Sequence, residues 1–264
     1  MSELKQVMVD AAIAASKLIL EIYRKGTEAQ EKSDGSPVTE ADQKGEEAIL
    51  AILSERCGEI PVIAEESVAG GAIPKAHPKF FLVDPLDGTK EFVKATDQFT
   101  VNIALIEDGV PTMGVVTVPA QNKLYVGEVG EGATLQEFDF ATGEAKGEPQ
   151  AIAVRAKPAS GGTAMMSASH GSDETTAMLE KLGVTDIMPA GSSLKFCFIA
   201  EGKADIYPRL GRTMEWDTGA AHAVLRAAGG EVYVFDNQER GGPLTYGKEE
   251  RAFDNPHFLA VGQE

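Results

Sequence analysis

Residues 82–92 read LVDPLDGTKEF: two apolar residues run into Asp84 and Asp87, which bracket Pro85 and Leu86, and Gly88 and Thr89 follow. Upstream, Phe80, Phe81, Leu82 and Val83 form a short apolar run between Pro78 and Pro85. Such a run reads as a strand buried on both faces, expected to stop where the carboxylates emerge. Asp-Pro and Asp-Gly are also ordinary turn dipeptides, because Asp bonds its own backbone, Pro presets φ and Gly tolerates positive φ. Taken alone, the stretch admits either a plain turn or a pair of functional acids.

Composition narrows the choice. A chain of 264 residues can bury a large core as one big domain or as two packed lobes. Its 43% hydrophobic and 25% charged content is that of a globular protein. The formal net charge of -17 argues against nucleic-acid or anionic-membrane binding through a basic surface, since phosphates need Lys and Arg to neutralise them. Any anion bound here requires local positive charge. Cys57 and Cys197 lack the close Cys or His neighbours of zinc sites and sit in apolar helical contexts, so buried thiols in a reducing cytoplasm are expected. The N-terminus is no secretory signal: Asp10 and Lys17 interrupt it, while Leu4, Met8, Ala11, Ala15, Leu18 and Ile22 recur at helical spacing. No stretch approaches the ~18 apolar residues of a membrane span.

Outward from the opening stretch, the pattern predicts a helix over about 3–24 that closes at Gly26 in a left-handed cap. Residues 34–37 read as a turn. Thr39-Glu40-Ala41-Asp42 resembles a capping box, with Asp in place of the usual Glu or Gln, and the helix after it carries Ala48, Ile49, Ile52 and Leu53 on one face. A short strand after Pro61 delivers Glu65 and Glu66. From 99 to 135 the pattern turns to β, with a turn at Asp108-Gly109 and a further hairpin, which suggests a large, mostly antiparallel sheet. The Gly-, Glu- and Thr-rich region 138–150 is the expected loop or boundary between an N-terminal α+β lobe, 1–140, and a C-terminal α/β lobe, 141–264, packed as one catalytic unit. Beyond it lie a strand at 163–169, helices at 173–182 and 193–200, a strand at 204–208, an Ala-rich helix from Trp216 to Gly229-Gly230, and a strand at 231–235.

Three segments share one grammar, an apolar element followed at once by acids: Ile63-Ala64-Glu65-Glu66, Leu82-Val83-Asp84-Pro85-Leu86-Asp87, and Met214-Glu215-Trp216-Asp217. A single acid such as Asp217 at a helix start is explained equally well by capping. Several acids that converge are harder to dismiss, because two carboxylates ~4 Å apart repel by roughly 4 kcal/mol at an effective dielectric near 20. Oxygen-only ligation with no His or Cys nearby selects a hard ion such as Mg²⁺. The spacing of Asp84 and Asp87 is not that of a calcium loop, Gly88-Thr89-Lys90 lacks the upstream glycine of a P-loop, and no H-E-x-x-H occurs.

With PVTEADQ and AEES upstream and WDTGAAHAV downstream, DPLDGTKEF closely resembles the inositol monophosphatase superfamily of Mg²⁺-dependent, lithium-sensitive phosphatases, in order over nearly the whole chain. Within it, DPLDGTKEF, FTVNIALIEDG and GSSLKFCFIAEGKADIYPR resemble the 3′(2′),5′-bisphosphate nucleotidases of the CysQ group. The resemblance implies a layered α/β fold, the αβαβα sandwich of the inositol monophosphatase and sugar phosphatase type, which the meander followed by alternating elements permits.

It further implies that Glu65, Asp84, Asp87 and Asp217 are metal-ligand carboxylates, with Leu86 adding a backbone carbonyl and two or three Mg²⁺ per site. Asp42 matches an acid that helps a further Mg²⁺ or orients the attacking water, and Thr89 a threonine that, with Glu65, positions and deprotonates that water. Gly88, Ser169, His170, Ser192, Lys195 and Arg209, beside Asp87, Thr89 and Asp217, match positions that contact substrate. Without the resemblance, Lys195 reads as a solvated helix residue and a lone His as packed or exposed. His222 reads as packed, and Trp216 as a residue that packs under Asp217 and fixes its angle.

The implied reaction is hydrolysis of the 3′-phosphate of 3′-phosphoadenosine 5′-phosphate to AMP and phosphate, which clears a by-product of sulfate assimilation. The rival within the fold is inositol 1-phosphate or a related sugar phosphate; the rival of another class is a non-catalytic metal-binding regulatory protein. The implied partner is a small phosphonucleotide and no nucleic acid. A cytoplasmic protein is implied, as monomer or homodimer, with peripheral inner-membrane association suggested by the resemblance only.

Overall fold

The computed structural model describes residues 2–26, 30–31, 37–72, 75–159, 161–167, 173–236 and 239–263. Helix α1 (Glu3–Lys25) begins at Ser2, whose hydroxyl accepts the Lys5 N–H at 3.3 Å, and buries Met8, Ala11, Ala15 and Ile19. Leu18, assigned to that face by spacing, is exposed. Gly26 has positive φ but an extended ψ of 144°, so the helix does not end in the expected left-handed cap. The expected turn at 34–37 lies, but for Pro37, outside the described residues. Strands β1 (Gln30–Glu31) and β2 (Pro37–Val38) pair ahead of α2 (Glu40–Cys57). The α2 capping box forms as read: Thr39 N–H donates to Asp42 Oδ2 at 2.7 Å, and Thr39 Oγ1 accepts the Ala41 N–H at 3.1 Å.

A seven-stranded sheet follows, in chain order β3 (Val62–Ala64), β4 (Lys79–Asp87), β5 (Thr100–Glu107), β6 (Val110–Val118), β7 (Lys123–Glu128), β8 (Gly132–Asp139) and β9 (Glu144–Ile152). Only β3 and β4 are parallel; the rest is an antiparallel meander. Helix α3 (Glu65–Ala69) leaves the end of β3, and α4 (Thr89–Val93) leaves the end of β4.

Two expectations change here. Strand β4 does not stop at Asp84: it runs through Pro85 to Asp87, with a break in register against β5 between Asp84, opposite Asn102, and Asp87, opposite Thr100. Proline has no N–H to donate, so the extra residue is absorbed as a bulge at the site. Region 138–150 is not a loop but the β8–β9 hairpin. As the exposed edge of the sheet, β9 has no buried face to impose an alternating pattern.

The second sheet has six strands, in the order β11 (Val184–Ala190), β10 (Gly162–Ser167), β12 (Ile206–Arg209), β15 (Phe258–Val261), β13 (Glu231–Asp236), β14 (Glu239–Pro243). Helices α5 (Asp173–Lys181), α6 (Leu194–Ala200) and α7 (Gly219–Ala227) complete the chain. One core cluster joins α1 and α2 to one face of the first sheet through Ile19, Ile49, Phe81 and Val83. A second joins the other face to α6, α7 and the second sheet through Phe80, Leu82, Phe196, Val224 and Phe258. Leu179 of α5 packs on the outer face of that sheet with Ala164, Ile206 and Leu259. The layers therefore run α, β, α, β, α.

The central layer is set closely. A Cβ at Gly114 of β6 would fall 2.1 Å from the Ala220 carbonyl oxygen, and one at Gly127 of β7 would fall 2.6 Å from Val224 Cα, so α7 lies directly on the sheet backbone. No helix of the described residues is long and apolar enough to cross a membrane.

Candidate active site

Strand period carries the site. Phe80 and Leu82 face the central layer while Phe81 and Val83 face α1 and α2, so Asp84, two residues after Leu82, turns toward the central layer, where the 3₁₀ turn Glu215–Asp217 enters α7. Asp84 is 1% exposed, and its Oδ1 accepts the Leu86 N–H at 2.9 Å. After the bulge, Asp87 Oδ2 accepts the Ser193 N–H at 2.5 Å, which ties the first sheet to the start of α6. Asp217 Oδ2 accepts the Met214 N–H at 2.9 Å, and Trp216 is buried against Phe253 with ring centroids 6.2 Å apart. Glu65 opens α3.

These acids share one electrostatic neighbourhood. Burial first, then Glu65, Asp87 and Asp217, push the Asp84 carboxyl well above the usual carboxylate range. Asp217 is raised by burial and then by Asp87 and Glu65. Asp87 rises to about 6 through burial, against the opposing pull of Lys195 and the Ser193 N–H. The four carboxylates are gathered but not closed into a cage: among the described residues, no three His, Cys, Asp or Glu side chains are arranged to hold an ion. Asp84, Asp87 and Asp217 each turn one oxygen to a backbone N–H. Their chemistry fits a hard divalent cation, since the donors are carboxylate oxygens that raise one another's proton affinity and a positive ion would relieve that repulsion. Glu65, Asp84, Asp87 and Asp217 are the residues that could hold it.

Asp42 and Thr89 meet beside this cluster. Thr89 Oγ1 lies 3.1 Å from Asp42 Oδ1 and 3.2 Å from the Leu86 carbonyl oxygen, while Asp42 Oδ2 takes both Thr39 donors. Burial raises the Asp42 carboxyl, and the Thr39 bonds oppose that rise.

A cleft of about 110 Å³ opens on the cluster, lined among others by Asp87, Gly88, Ser192, Arg209 and Asp217. Gly88 has φ 94°, and a side chain there would press on the Gln98 carbonyl and the Ser192 Cβ. Arg209 Nη2 donates to the Arg212 carbonyl at 3.2 Å, and its buried Nε donates to nothing among the described residues. Lys195 stands behind the cleft wall: it is 5% exposed, Nζ donates to the Ser192 carbonyl at 2.5 Å, and burial lowers it to about 8, with Asp87 opposing. Ser169 and His170 lie outside the described residues. His222 is packed, as read, with Nδ1 2.9 Å from Tyr246 Oη and Nε2 2.6 Å from Glu231 Oε1.

Sequence reading passed over Thr100, Asn102 and Ser193, whose hydroxyl and amide groups link Asp87 to α6. Thr100 and Asn102 are completely buried, and polar residues inside FTVNIALI were the available signal. Glu46 was also passed over. It carries no motif signal, only its place one turn beyond Asp42 on α2.

Comparisons with known proteins identify the family to which the chain and its fold belong. A family model described as the inositol monophosphatase family matches residues 1–260. The chain is 40% identical over 247 residues to the 3′(2′),5′-bisphosphate nucleotidase CysQ of Escherichia coli, covering 92% of this chain and 94% of that one. It is 31% identical to the Haemophilus influenzae protein of the same name, over 99% of this chain and 93% of that one. The crystal structure of CysQ from Bacteroides thetaiotaomicron superposes with a TM-score of 0.79 at 38% identity, covering 99% of this chain and 97% of that one. An inositol monophosphatase from Anabaena shares the fold, with a TM-score of 0.74 at 23% identity over 98% of this chain and 90% of that one. The chain belongs to the inositol monophosphatase family and, within it, to the CysQ group.

Proposed function

We propose that the protein is a Mg²⁺-dependent phosphatase that removes the 3′-phosphate of 3′-phosphoadenosine 5′-phosphate, leaving AMP and phosphate, in the recycling of that nucleotide during sulfate assimilation. The observation that carries this reading is one cleft that joins two acids of the buried cluster, Asp87 and Asp217, to an arginine with an unused buried donor, Arg209. A bisphosphate needs both kinds of group, one at each phosphate. It also accords with 40% identity to proteins named as 3′(2′),5′-bisphosphate nucleotidases.

Mg²⁺ held by Glu65, Asp84, Asp87, Asp217 and the Leu86 carbonyl would supply positive charge to the phosphate oxygens and acidify a water. The chain's own groups supply the rest. Thr89 donates its hydroxyl hydrogen to Asp42 Oδ1, which leaves the oxygen's lone pairs to accept from a water and orient it. Asp42, raised by burial, is a stronger proton acceptor than an ordinary carboxylate, and Glu65 is the second acceptor at hand. The Arg209 guanidinium and the cleft edge at Ser192 hold the part of the nucleotide that does not react. Lys195 contributes charge from behind Ser192.

We further propose that the two sheets form two lobes of one catalytic unit, with the division after β9, because the first sheet runs to Ile152. Cytoplasmic residence accords with Cys57 and Cys197, which are both free and buried. The test is phosphate release from 3′-phosphoadenosine 5′-phosphate and from inositol 1-phosphate under identical Mg²⁺ conditions. The nucleotide should be turned over with the higher kcat/KM; preference for the inositol ester would overturn the substrate assignment.

A further inference from the structure

Helix α3 presents Glu65 to the site, yet it has little of its own to hold it in place. It spans five residues, and Ala64 at its N-cap supplies no side-chain cap. A helix so short does not sustain itself, and its first N–H groups need partners. Those partners come from α2. Glu46, 4% exposed, accepts the Glu66 N–H on Oε2 at 2.7 Å, and accepts the Ser67 N–H at 2.8 Å and the Ser67 hydroxyl at 2.5 Å on Oε1.

Two oxygens that grip two successive amides fix the direction of a helical turn as well as its position. Glu46 lies one turn beyond Asp42 on α2, and between them Gly45 packs so closely that a Cβ would lie 3.3 Å from Pro85 Cβ in β4. One rigid helix thus sets Asp42, the Asp84–Asp87 bulge and the start of α3 against one another.

We propose that Glu46 is a positioning residue of the active site: through its grip on the Glu66 and Ser67 amides it aims Glu65 at the metal position. The proposal rests on the reading of Glu65 as a metal ligand. The alternative role, a cap that only stabilises α3, predicts no effect that depends on Glu65.

The test is calorimetric titration of Mg²⁺ into the full chain as wild type, Glu46→Gln, Glu65→Gln and the double variant, with melts in chelator to verify folding. Glu46→Gln keeps the shape but sets an NH₂ group against a backbone donor, and it should weaken Mg²⁺ binding about tenfold, the scale for groups that orient a ligand. In the Glu65→Gln background the same change should have no further effect. Unchanged binding in Glu46→Gln, with Glu65→Gln weakened, would overturn the proposal. So would a tenfold loss that persists in the double variant, since that would be the effect of the Glu46 charge alone. Wild-type binding by Glu65→Gln would instead remove Glu65 from the ligand set, and the proposal with it. Should Glu46→Gln not fold, Ser67→Ala removes a single bond and should lower affinity about threefold, again only when Glu65 is present.

Discussion

Replacing Gly114 by alanine tests whether the close seat of α7 on the sheet is what holds Asp217 in position. The added Cβ would stand 2.1 Å from the Ala220 carbonyl oxygen and 2.9 Å from Ala223 Cβ, against an ordinary contact distance of 3.4 Å. Helix α7 must therefore withdraw by about 1.3 Å, because a close-packed interior has no slack to absorb the clash. Overpacking of this kind costs about 3 kcal/mol at the upper end of its usual range. The alanine returns about 0.5–1 kcal/mol by restricting the unfolded chain. The net loss of about 2 kcal/mol lowers Tm by roughly 4–8 °C in a chain of this size. Asp217 moves with the helix it leads into, and a displacement of about 1 Å at a catalytic site costs ~10²-fold in turnover. The assay is a thermal melt followed by phosphate release at a temperature where the variant is fully folded. Gly242→Ala in β14, where a Cβ meets nothing within 4 Å, is the control and should melt at or slightly above the wild type. Gly114→Ala with wild-type Tm and turnover would refute the claim that this contact positions Asp217.

Asp87→Asn should lower kcat at least ~10²-fold while the fold survives, since one charged oxygen leaves a preorganised site; wild-type turnover would remove Asp87 from the metal site. Arg209→Ala should cost roughly 1.5–3 kcal/mol in kcat/KM on the bisphosphate and little on a simple monophosphate, the scale of one charge-assisted contact. Equal losses on both substrates would assign Arg209 to the fold or the metal site. Burial holds His222 below its ordinary value of 6.5, with Glu231 opposing, so the unfolded chain takes up that proton first and stability falls as pH drops through that value. Urea melts of His222→Gln across that range should show a shallower pH dependence than wild type; identical slopes would contradict the buried neutral imidazole.

The parts of this structure that local rules govern were legible in the chain. The Thr39–Asp42 box, the Asp108-Gly109 turn and the double-sided burial of Phe80–Val83 each follow from short-range patterns, and each is present. What failed did so where tertiary context decides. Strand β4 continues past Asp84 because β5 offers Thr100 and Asn102 as partners across a bulge, which no local rule foretells. Strand β9 is almost wholly exposed, so it carries no period to read. The gathering of Asp84, Asp87 and Asp217 required sheet and helix to meet across 130 residues of chain; residue patterns conveyed that three segments end alike, and the family resemblance alone implied that they converge. Glu46 was invisible because its role lies in bonds to backbone amides twenty and twenty-one residues away, where no residue type marks a recipient.

The central claim is that this cleft removes the 3′-phosphate of a nucleotide bisphosphate with Mg²⁺. The direct measurement is chromatographic identification of the nucleotide left from 3′-phosphoadenosine 5′-phosphate, with Mg²⁺ and with chelator, for the wild type and Asp84→Asn. The account predicts AMP from the wild type with Mg²⁺ and unchanged substrate in the other three samples. Adenosine 3′-phosphate as the product, or AMP formed in chelator, would contradict it.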